Sequence, residues 1–211
     1  MGDSGVVSRP PTAERPNPFS TSPTSFGLGT TALVTPLSMA NAFGTLMNHG
    51  VHMPPRYLLE TRDVNGTVVR REPRKPTDAT RAMPAEIADQ VVEAMSGVTE
   101  PGGTARAARQ DFTVYGKTGT TDDSTDAWFI GCARSPQNIC LATWMGYDRQ
   151  TCDGVEGRAC GGMKDVNGVE QVYGGTLPAR IFDRTFEIFR EIRAGQAAPG
   201  GDRAPAPAPS G

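Results

Sequence analysis

Apolar residues recur along this chain at two periods, and the changes from one period to the other mark its elements. The first firm signal opens at Thr35, whose hydroxyl can cap a helix, with Pro36 at the first helical position, where a missing N–H removes no hydrogen bond. Leu37, Ala40, Phe43 and Met47 follow at spacings of three and four, which predicts one apolar helix face, and Gly50 stands where such a helix would stop. Arg56 to Arg71 reads as a hairpin. Tyr57, Leu58 and Leu59 lead into Asp63-Val64-Asn65-Gly66, whose Asn-Gly pair favours positive φ angles, and Thr67, Val68 and Val69 lead out. A second helix is predicted from about Pro84 to Ser96, with Ile87, Val91 and Met95 on one side and Gly97 as its stop.

Beyond the glycine-rich corner Pro101-Gly102-Gly103-Thr104-Ala105 the pattern becomes strand-like. Phe112 to Tyr115, Trp128 to Cys132 and Ile139 to Met145 are β-branched and aromatic runs, the last two joined by the loop Ala133 to Asn138. Three successive strands with short connections predict an antiparallel sheet. After a loop rich in glycine and cysteine, Pro178 opens a final helix with Ile181, Thr185, Ile188 and Ile192 along one face and Phe182, Phe186 and Phe189 beside them. Helices before and after a strand meander give an α+β fold, an antiparallel sheet flanked by helices.

Both ends lack such patterning. Residues 1–25 carry several prolines, serines and threonines and one aromatic, Phe19, too little apolar surface to offset the entropy of ordering. Ala-Pro repeats from Gln196 predict a disordered tail over 196–211, which leaves 26–195 as the folded portion. So long a lead is a poor domain start, and further polypeptide is expected before it.

Composition narrows the function classes. The 211 residues include 25 glycines and 18 prolines, about a fifth of the chain, consistent with long loops. A net charge of −2 argues against an electrostatic nucleic-acid partner. No apolar run approaches the ~18 residues of a membrane helix, and Met1-Gly2-Asp3-Ser4 opens no signal peptide, so no membrane segment is expected. His49 and His52 lack a third ligand nearby and read as loop residues, and no metal or other cofactor is expected. Arg70 to Lys75 reads as a solvated face because Glu72 and then Asp78 interrupt its charge.

Site chemistry concentrates in Tyr115-Gly116-Lys117-Thr118-Gly119-Thr120-Thr121. A cation, three hydroxyls and two glycines within one short run suit a carboxylate or phosphate brought close to the main chain. A phosphate loop ending in Gly116-Lys117-Thr118 would need glycine at position 111, where Asp111 would repel phosphate. The other reading is Lys-Thr-Gly on an exposed strand, one of three signatures of penicillin-binding proteins and class A β-lactamases.

Further blocks extend that match. The run Leu28-Gly29-Thr30-Thr31, Val34-Thr35-Pro36-Leu37-Ser38-Met39-Ala40 and Asn48-His49-Gly50 comes first. Gly102-Gly103-Thr104-Ala105, Gly116 to Thr121, Asp126-Ala127-Trp128-Phe129-Ile130-Gly131, Trp144-Met145-Gly146-Tyr147 and Tyr173-Gly174-Gly175-Thr176-Leu177-Pro178-Ala179 follow in order. From about residue 26 to 193 the chain resembles the C-terminal part of the transpeptidase domain of class A, bifunctional penicillin-binding proteins, and hence part of a penicillin-binding/β-lactamase-like fold. The resemblance implies a D,D-transpeptidase that crosslinks peptidoglycan stem peptides and is acylated by β-lactams at the extracytoplasmic face of the bacterial membrane. It implies that Lys117 assists electrostatically with the substrate carboxylate, that Thr118 and Thr120 offer it hydroxyls, and that the Thr120 N–H is half of the oxyanion hole. Gly119 would leave the strand bare enough for the substrate to lie alongside as an added strand.

The chain also departs from that family. None of its ten serines has a lysine three places on, and no Ser-x-Asn triplet occurs, so the nucleophile and base motifs are absent from this sequence. The expectation is an inactive part of the enzyme, completed by the upstream half of its own domain; the alternative is a noncatalytic peptidoglycan- or protein-binding module of the same fold. A serine β-lactamase relative fits the Trp128 and Gly174-Gly175 blocks poorly. Cys132, Cys140, Cys152 and Cys160 form an even set that suits disulfides in an exported domain, with Cys132–Cys140 and Cys152–Cys160 as the favoured local pairs and buried reduced thiols as the alternative. Trp128 is expected to pack in the core rather than touch substrate. Asp122 and Asp123 are expected to be solvated loop charges.

Overall fold

The computed structural model describes residues 34–72, 78–121, 124–134, 137–147 and 162–197. Helix α1 spans Pro36–Met47 and begins as its sequence dictates: the Thr35 hydroxyl accepts from the Ser38 N–H at 3.1 Å while Ser38 Oγ accepts from the Thr35 N–H at 3.0 Å. Its inward face is not the one expected. Ser38 and Thr45 are its buried residues, whereas Leu37 is about half exposed. Strand β1 (Val51–His52) pairs antiparallel with β4 (Thr80–Arg81), and β2 (Glu60–Arg62) with β3 (Val68–Arg71).

The β2–β3 hairpin is the one predicted, but its ladder begins at Glu60, leaving Tyr57, Leu58 and Leu59 outside it and exposed. Of the Asn-Gly pair only Gly66 takes positive φ, +82°. The turn is held instead by Asp63, whose carboxylate accepts from Asn65 N–H at 2.8 Å and Thr67 N–H at 2.9 Å.

Helix α2 covers Ala85–Ala94 and is followed by a 3-10 turn at Ser96–Thr99. Its buried side is Ala88 and Val92, with Ile87 and Val91 turned outward, one position away from the stripe expected. A second 3-10 turn, Arg106–Ala108, precedes the main sheet.

The sheet is an antiparallel meander of β5 (Tyr115–Thr120), β6 (Asp126–Ala133) and β7 (Ile139–Gly146), in spatial order β5-β6-β7. Strand β5 starts three residues later than its apolar run. Phe112 and Val114 are core plugs rather than ladder residues, Val114 fully buried and Phe112 against Phe186 with ring centroids 5.3 Å apart. Directly opposed residues share a face. Thr118, Phe129 and Thr143 therefore lie on one side, and Lys117, Ile130 and Ala142 on the other.

Helix α3 (Leu177–Ala197) lies on the first of these faces. Phe182 meets Phe129 edge-on at 5.0 Å, and the Thr143 hydroxyl donates to the Pro178 carbonyl at 2.9 Å. The buried stripe of α3 is Leu177, Ala179, Phe182 and Phe186, and the expected Ile181, Ile188 and Ile192 are each more than 40% exposed. Aromatic volume decides the rotation: two rings fill the space over Gly131, which a Cβ at that position would contest. Ile130 and Cys132 on the opposite side are also buried, so β6 is covered on both faces, as its nearly continuous apolar sequence suits.

The sulfurs of Cys132 and Cys140, directly opposed on β6 and β7, are bonded at 2.03 Å. Cys152 and Cys160, Asp122 and Asp123, and the 1–25 lead lie outside the described residues. A hairpin the sequence reading missed, β8 (Lys164–Val166) with β9 (Val169–Gln171), precedes α3. Here Asn167 and Gly168 both take positive φ, at 50° and 75°, a two-residue turn matched to strand twist. Among the described residues no helix is long and apolar enough to cross a membrane.

Candidate functional site

Strand β5 is the outermost strand of its sheet, and it carries all four residues singled out from the sequence, Lys117, Thr118, Gly119 and Thr120. The direction of its amides follows from two hydrogen bonds. Gly116 N–H donates away from β6, to the Met95 carbonyl at 3.2 Å, and Thr121 N–H donates toward β6, to the Asp126 carbonyl at 3.0 Å. Main-chain groups alternate along a strand, so the N–H groups of Thr118 and Thr120 point the same way as that of Gly116. Neither meets a main-chain carbonyl among the described residues. The turn after α2 covers the border at Gly116, and no described strand pairs with the border at Thr118 and Thr120.

Two glycine-bearing loops converge on this half of the strand. From the corner before β5, Thr104 Oγ1 lies 2.8 Å from Thr118 Oγ1. From the segment before α3, Gly174 N–H donates to Thr120 Oγ1 at 3.1 Å. Both close approaches depend on bare backbone, because a Cβ on Gly174 would collide with the Trp128 carbonyl and one on Gly175 with that of Thr104. The threonine hydroxyls are thus oriented from outside the strand. The resemblance had marked Gly103-Thr104 and Gly174-Gly175 without giving them a role; their proximity to the site is a property of the fold.

Lys117 is exposed, on the sheet face opposite Thr118, and its Nζ donates to the Thr118 carbonyl at 2.8 Å. Trp128, on the same side as Lys117, is half-buried and inclined to Trp144 with centroids 6.2 Å apart, and Trp144 Nε1 donates to Asp126 at 3.0 Å. Trp128 is thus not the core residue expected: its ring is only half-buried and leans on the partly exposed Trp144, because the cores gather round Phe129 and Phe182 on the opposite face and round Ala127 and Val172. An open pocket of about 560 Å³, lined by Gly103, Thr104, Arg106, Ala107, Arg109 and Gly175, adjoins the site on the Thr104 side.

The remaining candidates are drawn into structural contacts. Asp111, which broke the phosphate-loop pattern, accepts both guanidinium nitrogens of Arg190 at 3.0 and 3.1 Å. His49 pairs with Asp89 at 2.8 Å, and His52 Nε2 lies 2.8 Å from the Asn41 amide. Among the described residues no group of three or more His, Cys, Asp or Glu is placed to hold a metal.

Comparison with known proteins finds relatives in sequence and in fold. A family model, the penicillin binding protein transpeptidase domain, matches residues 4–155. Penicillin-binding protein 1A of Aquifex aeolicus is 37% identical over 124 residues, 59% of this chain and 16% of that protein. The same-named protein of Mycobacterium tuberculosis is 27% identical over 158 residues, 72% of this chain and 17% of that protein. The chain thus spans about a sixth of the length of these relatives. Among solved structures, the PonA1 protein from Mycobacterium tuberculosis in complex with penicillin V superposes with a TM-score of 0.62 at 22% identity, covering 98% of this chain and 50% of that one. An imipenem acyl-enzyme complex of penicillin-binding protein A from M. tuberculosis gives 0.59 at 20% identity, covering 87% and 40%. With an ordered set of motifs on a shared fold, this chain belongs to the penicillin-binding protein transpeptidase domain family, of the class A kind.

Proposed function

We propose that this chain supplies the substrate-gripping edge of a peptidoglycan D,D-transpeptidase domain, binding D-Ala-D-Ala stem peptides and β-lactams, with the attacking serine on polypeptide outside this sequence. The observation that carries this is the outer half of β5: two N–H groups that meet no main-chain carbonyl among the described residues and two oriented hydroxyls on a glycine-bearing border. A peptide adding there as a fourth strand would find main-chain donors along its length. Its terminal carboxylate would be met by the Thr118 and Thr120 hydroxyls and the charge of Lys117. When a carbonyl beside it is attacked, the Thr120 N–H would donate to the developing oxyanion, one of two donors needed; removing such a donor typically costs about 10²–10³ in rate.

The chain holds no Ser-x-x-Lys or Ser-x-Asn, so covalent acylation requires the upstream half of the domain. In that setting the site would work at the extracytoplasmic face of the bacterial membrane. The test has two arms. Titration of the isotopically labelled chain with N-acetyl-D-Ala-D-Ala is expected to move the Thr118 and Thr120 amide resonances. Fluorescent penicillin is expected to leave this chain unstained alone and to stain a complex in which the upstream half is supplied. Staining of the chain by itself, or amides that ignore the dipeptide, would overturn the proposal.

A further inference from the structure

The pocket beside Thr104 has a polarity of its own. Among the described residues its charged lining is Arg106 and Arg109, three positions apart. Arg106 opens the 3-10 turn Arg106–Ala108 and Arg109 caps its end, and in that geometry residues i and i+3 eclipse. Ala105 and Ala108, fully buried, take the inner side of the turn, which sends both arginine stems outward together. Arg109 has a loose partner in Glu100 at 3.6 Å, both groups more than half exposed, and among the described residues Arg106 makes no ion pair. The wall between pocket and strand is Thr104, whose hydroxyl touches that of Thr118 at 2.8 Å. Gly175 lies against Thr104, packed so tightly on its carbonyl that no side chain fits.

We infer that Arg106, Arg109 and the Thr104 hydroxyl form an anion subsite contiguous with Thr118 that takes a carboxylate of the bound peptide, an inference that rests on the substrate class proposed above. Planar guanidinium groups match a carboxylate in two parallel hydrogen bonds, and two of them on one side of a turn, with a hydroxyl between them and the strand, outnumber the single acid nearby. A carboxylate there has two sources, the peptide's own terminus reaching past Thr118 or an acidic side chain farther along it.

Three probes separate these sources: N-acetyl-D-Ala-D-Ala, N-acetyl-Glu-Lys-D-Ala-D-Ala, and the latter with glutamine in place of glutamate. Each is titrated at low salt into the full chain and into the Arg106→Ala/Arg109→Ala variant, whose changes lie on the surface. If the side chain is the source, the glutamate peptide binds about two- to fivefold tighter than the glutamine peptide. The variant then erases that difference and leaves the dipeptide unchanged. If the terminus is the source, the variant weakens all three probes alike. In either case the effect fades near 1 M salt, where screening reaches about 3 Å. A variant that binds all three as the parent does would overturn the subsite while leaving the strand-edge site intact. A parent chain that binds none of them would overturn the substrate class itself.

Discussion

Reduction of the Cys132–Cys140 bond should lower stability by an amount the chain's own geometry sets. The two cysteines are a sequence separation of 8 apart and already face each other across β6 and β7, so the native ladder survives without the bond. The main effect falls on the unfolded chain, which regains a short loop's freedom. For a separation of 8, the chain-entropy relation gives about 2.5 kcal/mol at 25 °C. With a urea slope of about 2–3 kcal/mol per molar, the unfolding midpoint should fall by about 1 M. The clean comparison is a Cys152→Ala/Cys160→Ala background, oxidised against reduced, followed by emission from Trp128 and Trp144, which sit on this sheet. Native emission should match between the two forms and only the midpoint should move. Identical midpoints, or a reduced form that has lost its native emission before urea is added, would refute the reasoning.

Three further outcomes follow from the packing. Phe182→Ala should cost about 3–5 kcal/mol, because a fully buried ring loses its contacts with Phe129 and Phe186, whereas Ile188→Ala on the exposed side should cost under ~1 kcal/mol; urea midpoints in the reverse order would contradict the helix orientation. Gly174→Val should destabilise by about 1–3 kcal/mol and shift the Thr120 amide resonance, since the added side chain meets the Trp128 carbonyl; an unchanged spectrum and midpoint would show that the loop does not pack there. Partial burial, with Glu187 nearby, raises the Asp183 carboxyl above its ordinary value despite the hydrogen bond from Gln110 at 2.6 Å. The fold therefore favours the protonated form, a contribution fully present below the unfolded carboxyl's pKa and lost as pH rises through the higher folded one. Asp183→Asn, which still accepts from Gln110, should gain on the parent as pH rises across that window, and a parent–variant difference that is flat or reversed with pH would disprove it.

What the sequence made legible is what local chemistry controls. Thr35 and Pro36 mark the start of α1 because a cap is a matter of three or four neighbouring residues. The meander is legible because β6 is apolar along nearly its whole length, and the Cys132–Cys140 pairing follows once two strands are opposed in register. Helix faces were harder. On α3 the isoleucine and phenylalanine stripes adjoin, and periodicity alone cannot say which one a sheet will take; the rings won because Phe182 fits over Gly131. Phe112 to Val114 looked like strand and proved to be plug, since hydrophobic runs report burial before they report hydrogen bonding. The second Asn-Gly turn escaped notice because strands of three residues, with Lys164 and Glu170 among them, show no alternation. At the site, Lys117 to Thr120 could be read from one short run, but the groups that orient the threonines are 14 and 54 residues away in sequence, beyond any local pattern.

The outer margin of β5 has a cost as well as a use. Sheets usually blunt such margins with proline, a bulge or several charges, and here Gly116, Gly119 and a solitary lysine leave this one nearly flat. A border able to take a peptide as an added strand is equally able to take a second molecule of the same kind. Crowding rather than heat should therefore limit how long the protein stays in solution, with losses growing as the square of its concentration and slowing whenever a ligand occupies that margin.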